Sequence, residues 1–149
     1  MQNQSTVRSV IEELFSRQKV GVLATQAQLH PYCNLIAFTP DQDLKVLLFT
    51  TPRATQKYRN LISSPQAAFL VDNRSDAGVD FAAGIAVTAL GRVAEAPPGQ
   101  CAALKARHSS RHETLRVFIN APDCALLQMT VSTYILVSGI AGTATLAMR

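Results

Sequence analysis

Tryptophan is absent from the sequence, and no run of basic residues interrupts it, although the formal net charge is +4. Proteins that bind nucleic acid usually concentrate lysine and arginine on one face or segment, often near aromatic side chains. The 14 basic residues of this chain are instead scattered along its length. We therefore expect no nucleic-acid partner, and a small anionic ligand explains the positive excess as well.

Charged side chains are also scarce, since they make up 16% of the 149 residues whereas hydrophobic residues make up 48%. This composition excludes a disordered chain, and the length suits one domain, residues 1–149, with a substantial core. A soluble monomer usually exposes more charge than this. We therefore expect a second copy to cover part of the surface in a homodimer.

Cysteine is the third scarce residue type. Cys33, Cys101 and Cys124 are an odd number without motif spacing, so we expect reduced thiols in the cytoplasm rather than disulfides. The first residues are polar and then amphipathic, unlike a signal peptide. A membrane-spanning helix needs about 20 predominantly apolar residues, whereas segment 124–148 includes Gln128 and is rich in β-branched residues. It predicts strands, and no membrane partner is expected.

Segment 47–65, LLFTTPRATQKYRNLISSP, predicts a buried strand that leads directly into a helix. Pro52 suits the first helical position, because its fixed φ is helical and its missing N–H would have no partner there. Thr51 is then the predicted N-cap. Pro65 ends the predicted helix.

The start of this helix predicts an anion site. Free backbone N–H groups and the positive end of the helix dipole attract anions. The surrounding hydroxyl and cationic side chains favour a phosphate group in particular. They are Thr50, Thr51, Arg53, Thr55 and Lys57. The alternative interpretation is an ordinary capped surface helix that carries solvated charges.

The rest of the chain predicts short strands with helices between them, without regular strand–helix alternation. Predicted strands span 19–25, 31–39, 44–50, 67–71, 85–94, 125–131 and 133–137, with a bulge or a bend at Gly91. A first predicted helix has Ser5 as its N-cap and one apolar face, formed by Val7, Val10, Ile11, Leu14 and Phe15. Two further helices are predicted at 100–107 and 113–120. Residues 26–29 are predicted to form a turn, although they lack the Asn-Gly signal of a tight hairpin. The C-terminal segment 139–149 is predicted to be either a further strand or a loose end. This order is typical of a mainly β fold, an antiparallel barrel decorated by helices.

The order "strand, PYCNLI, strand, FTTPRATQK, helix, SP, short strand" resembles the pyridoxamine 5′-phosphate oxidase-like flavoproteins. These are FMN-binding split β-barrels, antiparallel and Greek-key-like, and the likeness covers residues 15–95. The resemblance implies a nucleotide-binding flavoprotein with FMN as its cofactor. In the family, an aromatic residue or threonine, then a threonine and a Ser/Thr-Arg-Lys triplet bind the FMN phosphate.

The matching phosphate positions here are Thr50, Thr51, Thr55, Gln56 and Lys57. Gln56 stands where family members often carry arginine, so one phosphate-binding cation is missing. Arg53 is the candidate substitute for it.

The second matching segment is strand 31–38, which in the family lies along the isoalloxazine ring and offers backbone groups to its polar edge. The matching positions are Asn34, Leu35, Ile36 and Ala37. Without the resemblance, Asn34 is interpreted as a polar outward residue on an alternating strand. Cys33 beside it is interpreted as a small buried apolar residue.

The resemblance implies an FMN-dependent oxidoreductase with a small redox-active substrate and NADH or NADPH as the candidate electron donor. It also implies a homodimer with the flavin in a groove shared by two subunits, and it identifies no catalytic side chain. Family members that oxidise vitamin B6 carry a C-terminal motif with Trp, Arg and Arg-Leu-x-Pro, whereas this chain ends LAMR, so that activity is not expected. The alternatives are a non-catalytic flavin sensor, carrier or electron store, and an oligomeric barrel without flavin.

His108 and His112 are four residues apart, the spacing that places two metal ligands on one helix face. The predicted break between helices 100–107 and 113–120 disturbs that alignment, so no metal site is predicted. Some split-barrel relatives handle haem, and the same two histidines are the candidates for it.

Overall fold

The computed structural model describes residues 3–76, 78–140 and 142–149. The first half of the chain forms α1 (Gln4–Arg17), β1 (Val20–Ala27), β2 (His30–Ala37), β3 (Thr39–Pro40), β4 (Val46–Pro52), α2 (Gln56–Ser63) and β5 (Gln66–Asp72). The second half forms β6 (Ile85–Glu95), α3 (Pro98–Arg111), a 3-10 turn (Glu113–Leu115), α4 (Arg116–Ile119), β7 (Cys124–Ser138) and β8 (Gly142–Ala147).

The strands form one curled antiparallel sheet in the order β2-β1-β5-β6-β7-β4-β3, with β8 added to β7. Because β7 is long, its first half pairs with β4 and its second half with β8, while β6 runs along its other edge. Strands β2 and β4 approach each other without forming a ladder, so the barrel is split there. The predicted mainly β, antiparallel split barrel with interposed helices is confirmed.

The core fills the inner face of the sheet, where aromatic rings meet the apolar stripe of α1. The Phe15 and Phe38 ring centroids lie 5.2 Å apart at an angle of 77°. Tyr134 is fully buried, its hydroxyl donates to the Leu44 carbonyl at 2.8 Å, and burial raises the pKa of its phenol. Four residues of the predicted stripe are buried and the fifth is partly buried; they are Val7, Ile11, Leu14, Phe15 and Val10.

A second buried layer lies on the outer face of β4 and the start of β7. Helices α3 and α4 contact these strands, and the buried side chains there are Leu48, Ile119, Cys124 and Leu126. This layer lies outside the main core cluster. Both faces of β4 are therefore covered by protein.

The predicted N-cap of α1 and the predicted break within β7 are both wrong, because local sequence signals do not fix where a helix or a strand ends. The N-cap of α1 is Asn3, whose side chain accepts from the Ser5 N–H at 3.2 Å, so Ser5 lies inside the helix. The predicted strands 125–131 and 133–137 are one strand of 15 residues, since β6 pairs with it across the predicted break, from Leu127 to Ser138. The only interruption of that pairing is the register shift at Leu90/Gly91, which confirms the predicted bulge.

The β1–β2 turn is a tight hairpin although its sequence lacks the usual signal. Ala27 pairs with His30, so Gln28 and Leu29 alone form the loop. Both have positive φ, 49° and 68°. These angles belong to the type I′ turn, which suits the right-handed twist of paired strands but favours Asn-Gly.

The C-terminal segment is extended, as predicted. Of the two alternatives for the tail, a further strand forms as β8, while Ala141 lies outside the described residues. No helix among the described residues is long and apolar enough to cross a membrane.

Candidate functional site

Helix α2 begins at Gln56 and its N-cap is Thr55, so the predicted start at Pro52 with Thr51 as N-cap is wrong. The Thr55 hydroxyl oxygen accepts from the Tyr58 N–H at 3.3 Å. Pro52 instead ends β4, opposite Cys124. Because β4 pairs with β7 as far as Pro52, the backbone is extended at this residue, where the sequence predicted the first residue of a helix. We refer to the end of β4, residues 53–55 and the first turn of α2 as the α2 corner.

Two threonines come together at the α2 corner. The hydroxyl oxygens of Thr51 and Thr55 lie 2.9 Å apart, and the Thr55 hydroxyl also lies 2.9 Å from the Pro52 carbonyl oxygen. Thr51 is fully buried, whereas Thr55 is partly exposed. These hydroxyls therefore lie beside the free N–H groups of the first turn of α2, where an anion is favoured.

The side chain of Thr50 does not join them. Successive side chains of a strand point to opposite faces, and Thr50 lies on the outer face of β4, on the same side as Cys124. Burial raises the pKa of the Cys124 thiol, and Thr50 only partly offsets this. Thr50 is thus part of the second buried layer, and only its backbone lies near the α2 corner.

The two predicted cations differ in their contacts. Lys57, in the first turn of α2, is partly buried and forms no ion pair within the described part of the chain. Arg53 forms an ion pair with Glu95, and its backbone N–H donates to the Asp123 carbonyl at 3.0 Å. Glu95 raises the pKa of the Arg53 guanidinium, chiefly through their hydrogen bond. Within the described residues, the Lys57 ammonium group is therefore available to bind an anion, whereas the Arg53 guanidinium is already bound to Glu95.

Gln56 has a cationic neighbour that the sequence interpretation missed. The Arg59 guanidinium donates to the Gln56 side-chain oxygen at 3.0 Å and to the Ala54 carbonyl at 2.8 Å. The signal was present, because residues three apart on a helix are neighbours. On its other side, Gln56 donates to Asn60 at 2.7 Å. The α2 corner thus carries a second nearby cation despite the departure at Gln56.

Asn34 points inward, so its interpretation as an outward polar residue is wrong. It pairs with Leu23, a fully buried core residue on the same face of the sheet. Its side-chain oxygen is enclosed and has no hydrogen-bond partner among the described residues. A buried acceptor without a donor is costly, so this atom fits a ligand that offers an N–H group.

The other predicted ring residues alternate along β2. Leu35 points outward and is 75% exposed, Ile36 is buried, and Ala37 is partly exposed at the strand end. Within the described residues β2 pairs only with β1, so the backbone groups on its free edge are available to a ligand. This edge and the α2 corner belong to the two strands that flank the split.

Other predicted groups are not brought to the split. His108 and His112 have ring centroids 4.8 Å apart and bond to Thr39 and to the Phe38 carbonyl, respectively, on the side of the barrel that α3 covers. The described residues contain no group of three or more histidine, cysteine, aspartate or glutamate side chains placed to hold a metal. Cys33 is exposed on the outer face of β2, so its interpretation as a buried residue is wrong.

Residues 7–138 match the model of the protein family described as pyridoxamine 5′-phosphate oxidase. No curated protein sequence matches the chain significantly.

Several solved structures have a similar fold at low sequence identity. ChuZ of Campylobacter jejuni superposes with a TM-score of 0.84 at 12% identity, over 99% of this chain and 61% of ChuZ. The heme binding protein of Mycobacterium smegmatis gives 0.79 at 20% identity, over 91% of this chain and 57% of that protein. General Stress Protein 26 of Bacillus anthracis gives 0.75 at 16% identity, over 95% of this chain and 98% of that protein. This chain therefore spans about three fifths of the first two proteins, and these likenesses show the fold.

Proposed function

Because the chain belongs to the pyridoxamine 5′-phosphate oxidase family, which confirms the resemblance found in the sequence, we propose that it binds FMN in the split between β2 and β4. It acts there as an oxidoreductase on a small redox-active molecule, with NADH or NADPH as electron donor. The observation that carries the proposal is the α2 corner, where paired threonine hydroxyls and a helix start lie together with Lys57, which forms no ion pair with any described residue.

The phosphate end of FMN would be held at the α2 corner. Thr51 and Thr55 supply hydroxyl donors, the first turn of α2 supplies backbone N–H groups, and Lys57 supplies a positive charge. Arg59 lies beside Gln56 and adds a second charge near the position where the family often has arginine. Charge-assisted hydrogen bonds of this kind are the stronger ones in proteins.

The ring end of FMN would lie along the free edge of β2. The enclosed oxygen of Asn34 accepts a ring N–H, and the backbone from Asn34 to Ala37 offers further donors and acceptors. When bound, the flavin supplies hydride transfer at its N5 atom. The part of this chain is to hold and orient the ring and to keep the phosphate fixed.

A homodimer is part of the proposal, and the outer face of the sheet supports it. Val20, Leu35, Leu90 and Val137 point to this face, and they are between 37% and 75% exposed. The side chains of the opposite face of the sheet, such as Leu23 and Phe69, point into the core. An apolar surface of this kind is typical of an interaction site, and a second copy would cover it.

Haem is the second candidate ligand, because one structurally similar protein is a heme binding protein. The histidines that the sequence offered as haem ligands are buried against β3 and the end of β2, where Thr39 and Phe38 occupy one ring nitrogen of each. Because both histidines lie away from the split, haem bound in the split would require another ligand. The free cysteines Cys33, Cys101 and Cys124 support a location in the reducing cytoplasm.

The test is to purify the protein, remove any ligand, and titrate it separately with FMN, riboflavin and haem. We expect flavin absorbance in the purified protein and tighter binding of FMN than of riboflavin, which lacks the phosphate. A Soret band without flavin bands would favour haem. Bleaching of bound FMN by NADPH and reoxidation by an added acceptor would distinguish an enzyme from a flavin carrier or sensor, and failure of FMN to bind would contradict the proposal.

A further inference from the structure

Glu95, the last residue of β6, contacts the α2 corner from two strands away in the same sheet. Its Oε1 accepts from Nη2 of Arg53, and its Oε2 accepts from the Tyr58 hydroxyl at 3.0 Å. Arg53 precedes α2 and Tyr58 belongs to its first turn. Glu95 reaches them because the pairing of β6 with β7, and of β7 with β4, places it in one row with Leu127 and Phe49.

This carboxylate can exchange partners readily. The Arg53 and Glu95 side chains are 45% and 35% exposed, and exposed ion pairs contribute little to stability because water and salt screen them. A phosphate monoester offers a guanidinium up to two negative charges and several acceptor oxygens, and it commonly binds arginine through two parallel hydrogen bonds. A phosphate at the α2 corner is therefore the stronger partner for Arg53.

We propose that Glu95 is a specificity-determining residue that competes with the ligand's phosphate group for Arg53. This inference rests on the proposed FMN function. Without ligand, Arg53 remains paired with Glu95; when a phosphate monoester docks, the Arg53 guanidinium must leave the carboxylate in order to bind the phosphate. Glu95 thus lowers the affinity for the phosphorylated flavin relative to the flavin without phosphate.

The composition of the α2 corner makes this competition matter. Gln56 stands where the family often has arginine, so Lys57 is the one unpaired cation in the first turn of α2 within the described residues. Arg59 is already bonded to Ala54 and Gln56. Arg53 is therefore the cation whose release would add most to phosphate binding, and Glu95 controls that release.

The test compares Glu95→Gln with the wild type by titration with FMN and with riboflavin. We expect Glu95→Gln to bind FMN about tenfold more tightly, since one charge-assisted contact of about 1.4 kcal/mol changes affinity by that factor, and to bind riboflavin as the wild type does. The matched control is Glu13→Gln, because Glu13 pairs with Arg17 on the exposed face of α1 and its loss changes net charge equally.

A double-mutant cycle with Arg53→Ala tests whether Glu95 acts through Arg53. In the Arg53→Ala background, Glu95→Gln should change FMN affinity by less than about twofold. An equal gain in both backgrounds would mean that Glu95 acts by its charge alone, and unchanged or weaker FMN binding in Glu95→Gln would mean that it does not compete; both results overturn the inference. If the wild type binds FMN normally in that case, the FMN function stands, whereas loss of all FMN binding in every variant overturns both.

Discussion

The Nδ1 atom of His108 lies 2.7 Å from the hydroxyl oxygen of Thr39, so the fully buried imidazole links α3 to β3 by a hydrogen bond. Burial lowers the pKa of His108 to about 4 from its ordinary 6.5, and the nearby His112, Arg111 and Arg107 act in the same direction. Arg111 completes the attachment by donating to the carbonyls of Gln18 at 2.8 Å and Phe38 at 3.1 Å. Helix α3 is thus held by polar contacts of Arg111 and of His108, which burial keeps neutral at pH 7.

Stability should therefore fall on mild acidification. The unfolded chain takes up a proton at His108 as the pH falls through 6.5, whereas the folded protein does so only near 4. The stabilisation is complete above pH 6.5 and is lost between pH 6.5 and 4, by at most about 3 kcal/mol. Burial also lowers the pKa of His112, which adds to the loss. Urea unfolding at a series of pH values measures the effect.

The variant His108→Gln should reduce the acid-dependent loss and also lower stability at pH 7. His30→Gln is the matched control, because His30 is exposed in the β1–β2 hairpin. An unchanged pH dependence in His108→Gln would show that another group is responsible.

The tight turn at Gln28 and Leu29 offers a stability prediction. Both residues have positive φ, which non-glycine residues adopt at a cost, whereas asparagine and glycine suit this turn type. Gln28→Asn with Leu29→Gly should raise the free energy of unfolding by about 1 kcal/mol. Leu29→Val is the opposing control, since a β-branched residue fits positive φ less well than leucine. Equal unfolding midpoints for all three proteins would refute the strain at this turn.

The sequence predicted that threonine and lysine side chains meet near the start of a helix, because these residues lie within a few positions of one another. It misplaced the N-cap because the pairing that extends β4 to Pro52 involves Cys124, which is distant in the chain. It missed Glu95 for the same reason, since only the β6–β7–β4 pairing brings that carboxylate to Arg53. It also placed Thr50 and Thr51 in one site, because a list of adjacent residues does not distinguish the two covered faces of β4. Local sequence signals thus predicted the types of side chain at this corner, whereas the long-range pairing of strands determines which of these side chains are in contact.

Association through the outer sheet face can be tested by adding charge there. Leu35→Lys with Val137→Lys places two cations on an apolar surface that we expect a second copy to bury. Light scattering should show a dimer for the wild type and a monomer for this variant. Val117→Lys is the control, because Val117 is also an exposed apolar residue but lies on α4. A dimer that survives the double substitution would place the interface elsewhere.

Lys57 should determine the preference for phosphorylated flavin. Lys57→Ala removes a cation from the first turn of α2, so we expect FMN affinity to fall by about tenfold or more, while riboflavin affinity stays within about twofold. Adding Thr55→Ala should weaken FMN further, and it should also cost about 1 kcal/mol of stability because Thr55 is the N-cap. Thermal melts separate these two effects, and Lys45→Ala controls for net charge. Normal FMN affinity in Lys57→Ala/Thr55→Ala would rule out a phosphate site at this corner.

Asn34 should contribute equally to the binding of FMN and of riboflavin, which lacks the phosphate. Its enclosed oxygen lacks a partner within the described residues, so Asn34→Leu removes a desolvated acceptor and should stabilise the ligand-free protein by about 1 kcal/mol. The same change removes the acceptor for a ring N–H, so FMN and riboflavin affinities should fall together by about tenfold.

The ratio of these two affinities is the informative quantity, because the Asn34 change should leave it constant whereas the Lys57 change should lower it. Cys33→Ser is the neighbouring control, since Cys33 points away from the split and is exposed. If Asn34→Leu destabilises the ligand-free protein and leaves both flavin affinities unchanged, the Asn34 oxygen serves the fold and the ring lies elsewhere. A loss confined to FMN would instead place the phosphate, and not the ring, beside β2.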